Sequence, residues 1–193
     1  MSHGHGAGHG SEGDNKYIAI LISVLALFLA VAETFAKGAQ TNSIAYNIEA
    51  SNLWSFYQAK TIRQTAIKTA AEQMEVDIQL ARDPATKLLL EKRVASWKEE
   101  VARYQSEPKP TGGEGRKELQ ERAIAAGVKR DLYTEKYHHY EVASAAFQIA
   151  IVLASVFLLT KVAILLWVSG LLALSGVFFT VVGLLFPSAI HLF

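Results

Sequence analysis

The stretch VASAAFQIAIVLASVFLLTKVAILLWVSGLLALSGVFFTVVGLLF, residues 142–186, contains one charged residue, Lys161. Lys161 divides it into two apolar runs, Val142–Thr160 and Ala163–Phe186. Each is close to the ~20 residues that an α-helix needs to cross a hydrocarbon layer about 30 Å thick. The link Thr160-Lys161-Val162 is so short that the two runs are expected to form a tight helical hairpin. A third run, YIAILISVLALFLAVAETFA from Tyr17 to Ala36, has similar length and character. The expectation is an all-α membrane protein with three transmembrane helices, at residues 16–37, 142–160 and 163–187. Nothing in the chain reads as a β-strand. Ala30-Val31-Ala32 resembles a signal-peptidase site, but the preceding tail has one Lys and the run exceeds a typical signal core, so an uncleaved anchor is expected.

The charged residues form one block. Of 19 Lys and Arg, 17 lie between Lys37 and Lys136; of 18 Asp and Glu, 15 lie between Glu49 and Glu141. The block is nearly balanced, which argues against a nucleic-acid binder. The chain has no cysteine, so disulfides, thiolate chemistry, Cys-zinc sites and palmitoylation are excluded.

Within residues 38–141 the periodicity is helical. Ala45, Ile48, Asn52, Ser55, Ala59, Ile62, Ala66, Thr69, Gln73, Val76 and Leu80 recur every three or four residues, a small, partly polar seam suited to a coiled coil or narrow bundle. Asp83-Pro84 pairs an N-cap residue with proline at the first helical position, so a new helix starts there. That helix carries Leu90, Val94, Trp97, Val101 and Tyr104, and ends in the turn-rich SEPKPTGGEG, Ser106 to Gly115. A last helix runs from Arg116 without a break into the second apolar run; about 45 residues would span ~68 Å. Residues 38–141 are therefore expected to form an antiparallel coiled-coil helical stalk, inserted between spans one and two.

Candidate functional residues fall in five places. Residues 1–15 are Gly-, His- and Ser-rich, a composition that predicts disorder. His3, His5 and His9 in that tail could bind zinc, copper or nickel through imidazole. In the first span, Ala19, Ser23, Ala26 and Ala30 share one face with Glu33 and Lys37. Small residues let helices approach closely in lipid, so Glu33 is expected to face a neighbouring helix. Lys37, one turn on, could pair with it, and Gln148 at a similar depth could hydrogen-bond it. Span three has its own small stripe: Ser169, Ala173, Gly176, Thr180 and Gly183. On the stalk, Trp54, Tyr57 and Arg63 are residue types enriched at interface hot spots. Tyr133, Tyr137 and Tyr140 precede span two, where aromatics usually form an interfacial belt. The adjacent His138 and His139 diverge too far to ligate one metal together. No paired-carboxylate, nucleophile–base or phosphate-loop motif was found; Thr111-Gly112-Gly113-Glu114-Gly115 lacks the Lys-Ser/Thr of a P-loop.

The run NIEASNLWSFYQAKTIRQ, Asn47 to Gln64, resembles a bacterial membrane family catalogued as domain of unknown function 4337. The likeness extends to NKYIAILISVLALFLAVAE before it and to EKYHHYEVASAAFQIAIVLAS, Glu135 to Ser155. The resemblance implies a three-span protein of the bacterial inner membrane with a helical insert after the first span. It implies no activity and no site residues. Lys37, Lys129, Arg130 and Lys136 outnumber Lys16 and Lys161 across the membrane, which favours a cytoplasmic stalk and C-terminus. The expectation is a non-enzymatic membrane scaffold or accessory subunit, contacting lipid and self-associating or docking onto a larger membrane complex. A metal-handling accessory using the tail histidines is the alternative, and a signal transducer a more distant one. No nucleic acid and no small-molecule substrate is expected.

Overall fold

The computed structural model describes residues 10–108 and 113–190. Four α-helices follow in order: α1 (Gly10–Leu80), α2 (Pro84–Gln105), α3 (Arg116–Thr160) and α4 (Ala163–Leu185), then a 3-10 turn at Pro187–Ala189. No strand occurs among the described residues. Helices α1, α3 and α4 each contain a stretch long and apolar enough to cross a membrane. The chain divides into two compact units. The first takes residues up to Ser43 and from Asp131 onward; the second is Ile44–Arg130.

Local chemistry sets the helix ends. Asp83 caps α2: its carboxylate accepts from the Thr86 N–H at 2.8 Å and the Thr86 hydroxyl at 2.7 Å, with Pro84 at the first helical position. At the start of α3, the Glu118 carboxylate accepts from Ser106 Oγ at 2.6 Å and the Glu107 N–H at 3.1 Å, tying the end of α2 to the first turn of α3. Gly115 is needed there, because a Cβ would collide with the Glu118 carboxylate and approach Ser106 Cα to 2.7 Å. Helix α3 ends at Lys161, a non-glycine residue held left-handed at φ 56°. Its N–H donates to Phe157 O at 2.9 Å and its ammonium donates to the Asn15 side chain, so the α3–α4 turn is tied to the start of α1.

In the second unit, Ala50 and Leu53 of α1 pack with Leu119, Ala123 and Ala126 of α3, with Tyr57 against them. The packing face runs Tyr46, Ala50, Leu53, Tyr57, Lys60, Gln64, Ile67, Ala71, Met74 and Ile78, all buried or half-buried. The seam expected from the sequence, Ala45 to Leu80, lies on the opposite face, and every one of its positions is exposed. Both faces repeat with heptad spacing, and α2 and α3 cover the one that carries Leu53 and the two tyrosines.

In the first unit, Leu25 and Ala32 of α1 meet Ala143, Phe147 and Ala150 of α3, flanked by Leu172, Ala173 and Phe179 of α4. A second cluster joins Ala36, Ala39 and Tyr140, with Tyr133 and Tyr137 against it. Here too the face differs from the sequence expectation: Ala19, Ser23, Ala26 and Ala30 are exposed, whereas Ile18, Leu25 and Ala32 are buried. Tyr140 and His139 are core residues rather than members of an aromatic belt.

The hydrogen bonds from Thr86 hold the Asp83 carboxyl below the usual carboxylate range, and Ser106 does the same for Glu118. A depressed carboxyl pKa stabilises the fold above the unfolded value, and the stabilisation is lost as pH falls through the folded one. Asp83→Ala is expected to fray the first turn of α2 at neutral pH, seen as faster amide exchange at Thr86. Acidification below the carboxylate range should reproduce that change in the unmodified chain, and unchanged protection at Thr86 in either case would refute the cap's role.

Candidate interaction surfaces

Small residues on α4 let α3 come close. Ser169 Oγ donates to Ala150 O at 2.8 Å, and both residues are fully buried. A Cβ on Gly176 would stand 2.8 Å from the Phe147 ring, and one on Gly183 would stand 2.9 Å from His139 Cβ and the Tyr140 ring. His139 Nε2 is 2.9 Å from the Pro187 carbonyl, so the ring fastens α3 to the turn that follows α4. An imidazole that donates from Nε2 carries a bare Nδ1, and Nδ1 of His139 is buried without a partner among the described residues. The His139 ring also stacks on Phe179, with centroids 6.2 Å apart. The small stripe of α4 is thus filled by its own chain, and Gly176 and Gly183 make contacts inside the unit rather than a spare face for a neighbour.

Glu33 and Gln148 meet. The Gln148 amide donates to Glu33 Oε1 at 3.1 Å, joining α1 to α3, and both residues are exposed. Lys37 forms no ion pair with Glu33 among the described residues. The bond sits on the rim of the packed core, beside buried Ala32 and Phe147.

The second unit holds a polar cluster around Arg116. Its guanidinium donates to Gln64 Oε1, to Gln105 Oε1 at 3.2 Å and to the Tyr57 hydroxyl at 3.0 Å, and lies 5.0 Å from the Tyr57 ring centroid. Gln64 also donates to Val101 O at 3.0 Å. One arginine therefore links all three helices of the unit, through the planar fork and the aromatic stacking particular to that side chain. Lys68 and Thr65 line the same groove of about 360 Å³. Trp54 meets Tyr57 edge-on, with centroids 5.5 Å apart. Tyr57 accordingly serves the packing of the unit, Trp54 borders it, and Arg63 is exposed.

His3, His5 and His9 lie outside the described residues. Among the described residues, no three metal-ligating side chains converge. His138 Nδ1 lies 3.7 Å from Glu141, apart from the buried His139.

Two groups of contacts were not anticipated from the sequence. Arg116 reaches Gln64 across a separation of 52 residues, and no local pattern announces that pair. Ser169 and His139 stood inside recognised patterns, yet their backbone partners, Ala150 and Pro187, depend on how α3 and α4 pack.

The model of the domain of unknown function DUF4337 matches residues 14–186. The chain belongs to that family. No curated protein and no solved structure matches it.

Overpacking a tight core typically costs about 1–3 kcal/mol. Gly176→Val should destabilise the protein by about that amount in thermal unfolding in detergent, whereas Gly170→Val should have little effect, since nothing lies within 4 Å of a Cβ at Gly170. Equal effects at the two sites would refute the close approach of Phe147. Arg116→Ala should cost about 2 kcal/mol through lost charge-assisted hydrogen bonds, and Arg116→Lys should recover little of it.

Proposed function

We propose that the protein is a non-enzymatic integral membrane scaffold or accessory subunit of the bacterial inner membrane. In this reading three helices cross the bilayer, and residues 38–141 form a helical stalk on the cytoplasmic side, which also holds the C-terminus. The protein self-associates or docks onto a larger membrane complex. One observation carries the membrane part: only 17%, 33% and 22% of the three apolar windows is buried within the chain. That much exposed apolar surface calls for lipid or partner helices around it. Family membership agrees with the reading without supplying an activity.

Association is supported by α1. Its small residues Ala19, Ser23, Ala26 and Ala30 point away from the chain's own core, and small residues are where helices in lipid pack most closely. The matching stripe of α4 is already occupied, so the association surface of the spans belongs to α1. The Glu33–Gln148 bond is interhelical glue on this view, holding α1 and α3 in register beside that surface.

Two measurements test the proposal. Native mass spectrometry after extraction in mild detergent should give an oligomer or a complex. Reporters at Thr111 and after residue 193 should both fall on the cytoplasmic side. A lone monomer, or reporters in opposite compartments, would overturn it.

A further inference from the structure

The exposed heptad face of α1 between Ala45 and Leu80 holds the most informative unused surface in the molecule. Ile48, Ile62, Val76 and Leu80 on it are 54%, 70%, 48% and 73% exposed. Single exposed aliphatic residues are ordinary; here four of them fall in one heptad row with the exposed Ala45, Ala59 and Ala66. A seven-residue repeat drifts by about 20° per heptad on a straight helix, so such a row stays in line only against a partner that supercoils with it. Lipid does not suit the face, because Asn52 and Gln73 lie in the row and Glu49, Arg63, Glu72 and Asp77 flank it.

We infer that this face is a parallel, in-register coiled-coil interface with a second copy of the same chain. The inference rests on the scaffold reading above and names the partner and the surface. The polar positions identify the occupant. In a parallel pair each core residue meets its own counterpart. Asn52 then opposes Asn52 of the second copy, and Gln73 opposes Gln73. A primary amide carries both donors and acceptors, so each amide satisfies its own twin. A shift by one heptad would set Asn52 against Ala59 and leave the amide unpaired in an apolar layer. The same two residues therefore fix register and favour self-pairing over an unrelated helix.

The size of the face agrees. The row covers 36 residues, about 54 Å at 1.5 Å per residue. A strip of that length and about 10 Å width, counted on both copies, comes to about 1,000 Å², the threshold for a specific interface. One contact opposes the pairing: Glu72 comes near Asp77 of the second copy. Both residues are exposed, where such pairs are weak and screened.

The cysteine-free chain makes the test direct. Ile62→Cys and Val76→Cys, each introduced singly into the full-length protein in membranes, should form same-site intermolecular disulfides under mild oxidation. Lys68→Cys, exposed on another face of α1, should not. Ile62→Asp should abolish the dimer made through Val76→Cys while leaving helicity by circular dichroism unchanged, since Ile62 is 70% exposed. Absence of crosslinks at positions 62 and 76, or equal crosslinking at 68, would overturn the inference. Native mass spectrometry of the same samples separates the two levels. An oligomer without these crosslinks sinks the seam alone, and a monomer sinks the scaffold reading with it.

Discussion

A helix can present only one side to its own chain, and α1 has two sides with apolar residues at heptad spacing. In the second unit the side carrying Ala50, Leu53 and Ala71 is covered by α2 and α3, while the side carrying Ile48, Ile62 and Val76 is bare. In the first unit Leu25 and Ala32 turn inward and the small residues Ala19, Ser23, Ala26 and Ala30 turn out. Burial of apolar surface stabilises by about 25 cal/mol per Å², so the bare side is stabilisation available to whatever next packs on it. The contacts proposed for this protein with other molecules follow from that asymmetry.

The remaining helices use close approach rather than bulk. Phe147 lies over Gly176, and Tyr140 lies over Gly183, because neither glycine has a Cβ to fill the space. The Ser169 bond to a carbonyl of α3 holds the same pair of helices at a further height, and the His139 bond to Pro187 fastens α3 to the turn after α4. Van der Waals contact and interhelical hydrogen bonds are the terms that survive when the surrounding solvent is as apolar as the side chains. The α3–α4 hairpin has both, and its left-handed turn at Lys161 is anchored to Asn15 as well.

The helix boundaries were legible because they are local. Asp83-Pro84 contains its own capping chemistry, and the segment that enters the second apolar run has no proline between Arg116 and Thr160, where one helix of 45 residues is found. The three apolar stretches and the family were legible for the same reason. The packing face of α1 was not. Both of its rows repeat with heptad spacing and mix apolar with polar residues, and the choice between them is made by Leu119, Ala123 and Ala126, which lie far away in sequence. Tyr57 illustrates the same limit: its type suggested a partner surface, and the Arg116 guanidinium claims it for the interior instead. Glu33 and Gln148 could be paired in advance because depth along an apolar helix is a one-dimensional coordinate; rotation about the helix axis is not fixed by it.

The outward faces also differ in kind, and the difference assigns their surroundings. The exposed side of α4 carries Trp167, Leu171, Leu174, Phe178 and Val181, whose side chains hold one polar group, the Trp167 indole N–H. The exposed side of α1 mixes the two kinds: Ser23, Thr34 and Glu33 lie among Ile20, Leu27, Val31 and Phe35 in the first unit, and Asn52, Arg63 and Gln73 among Ile48, Ile62 and Val76 in the second. Hydrocarbon accepts the first set and penalises the second unless each polar group finds a partner. Ser23 and Thr34 answer this by returning their hydroxyls to Ala19 O and Ala30 O, at 2.9 and 2.7 Å, and Glu33 by taking Gln148. Intrahelical bonds of that kind leave the hydroxyl lying flat against its own helix, where it does not hold a neighbour away. On the proposed membrane reading α4 is therefore the side that lipid wets, and α1 is the side on which another helix can rest.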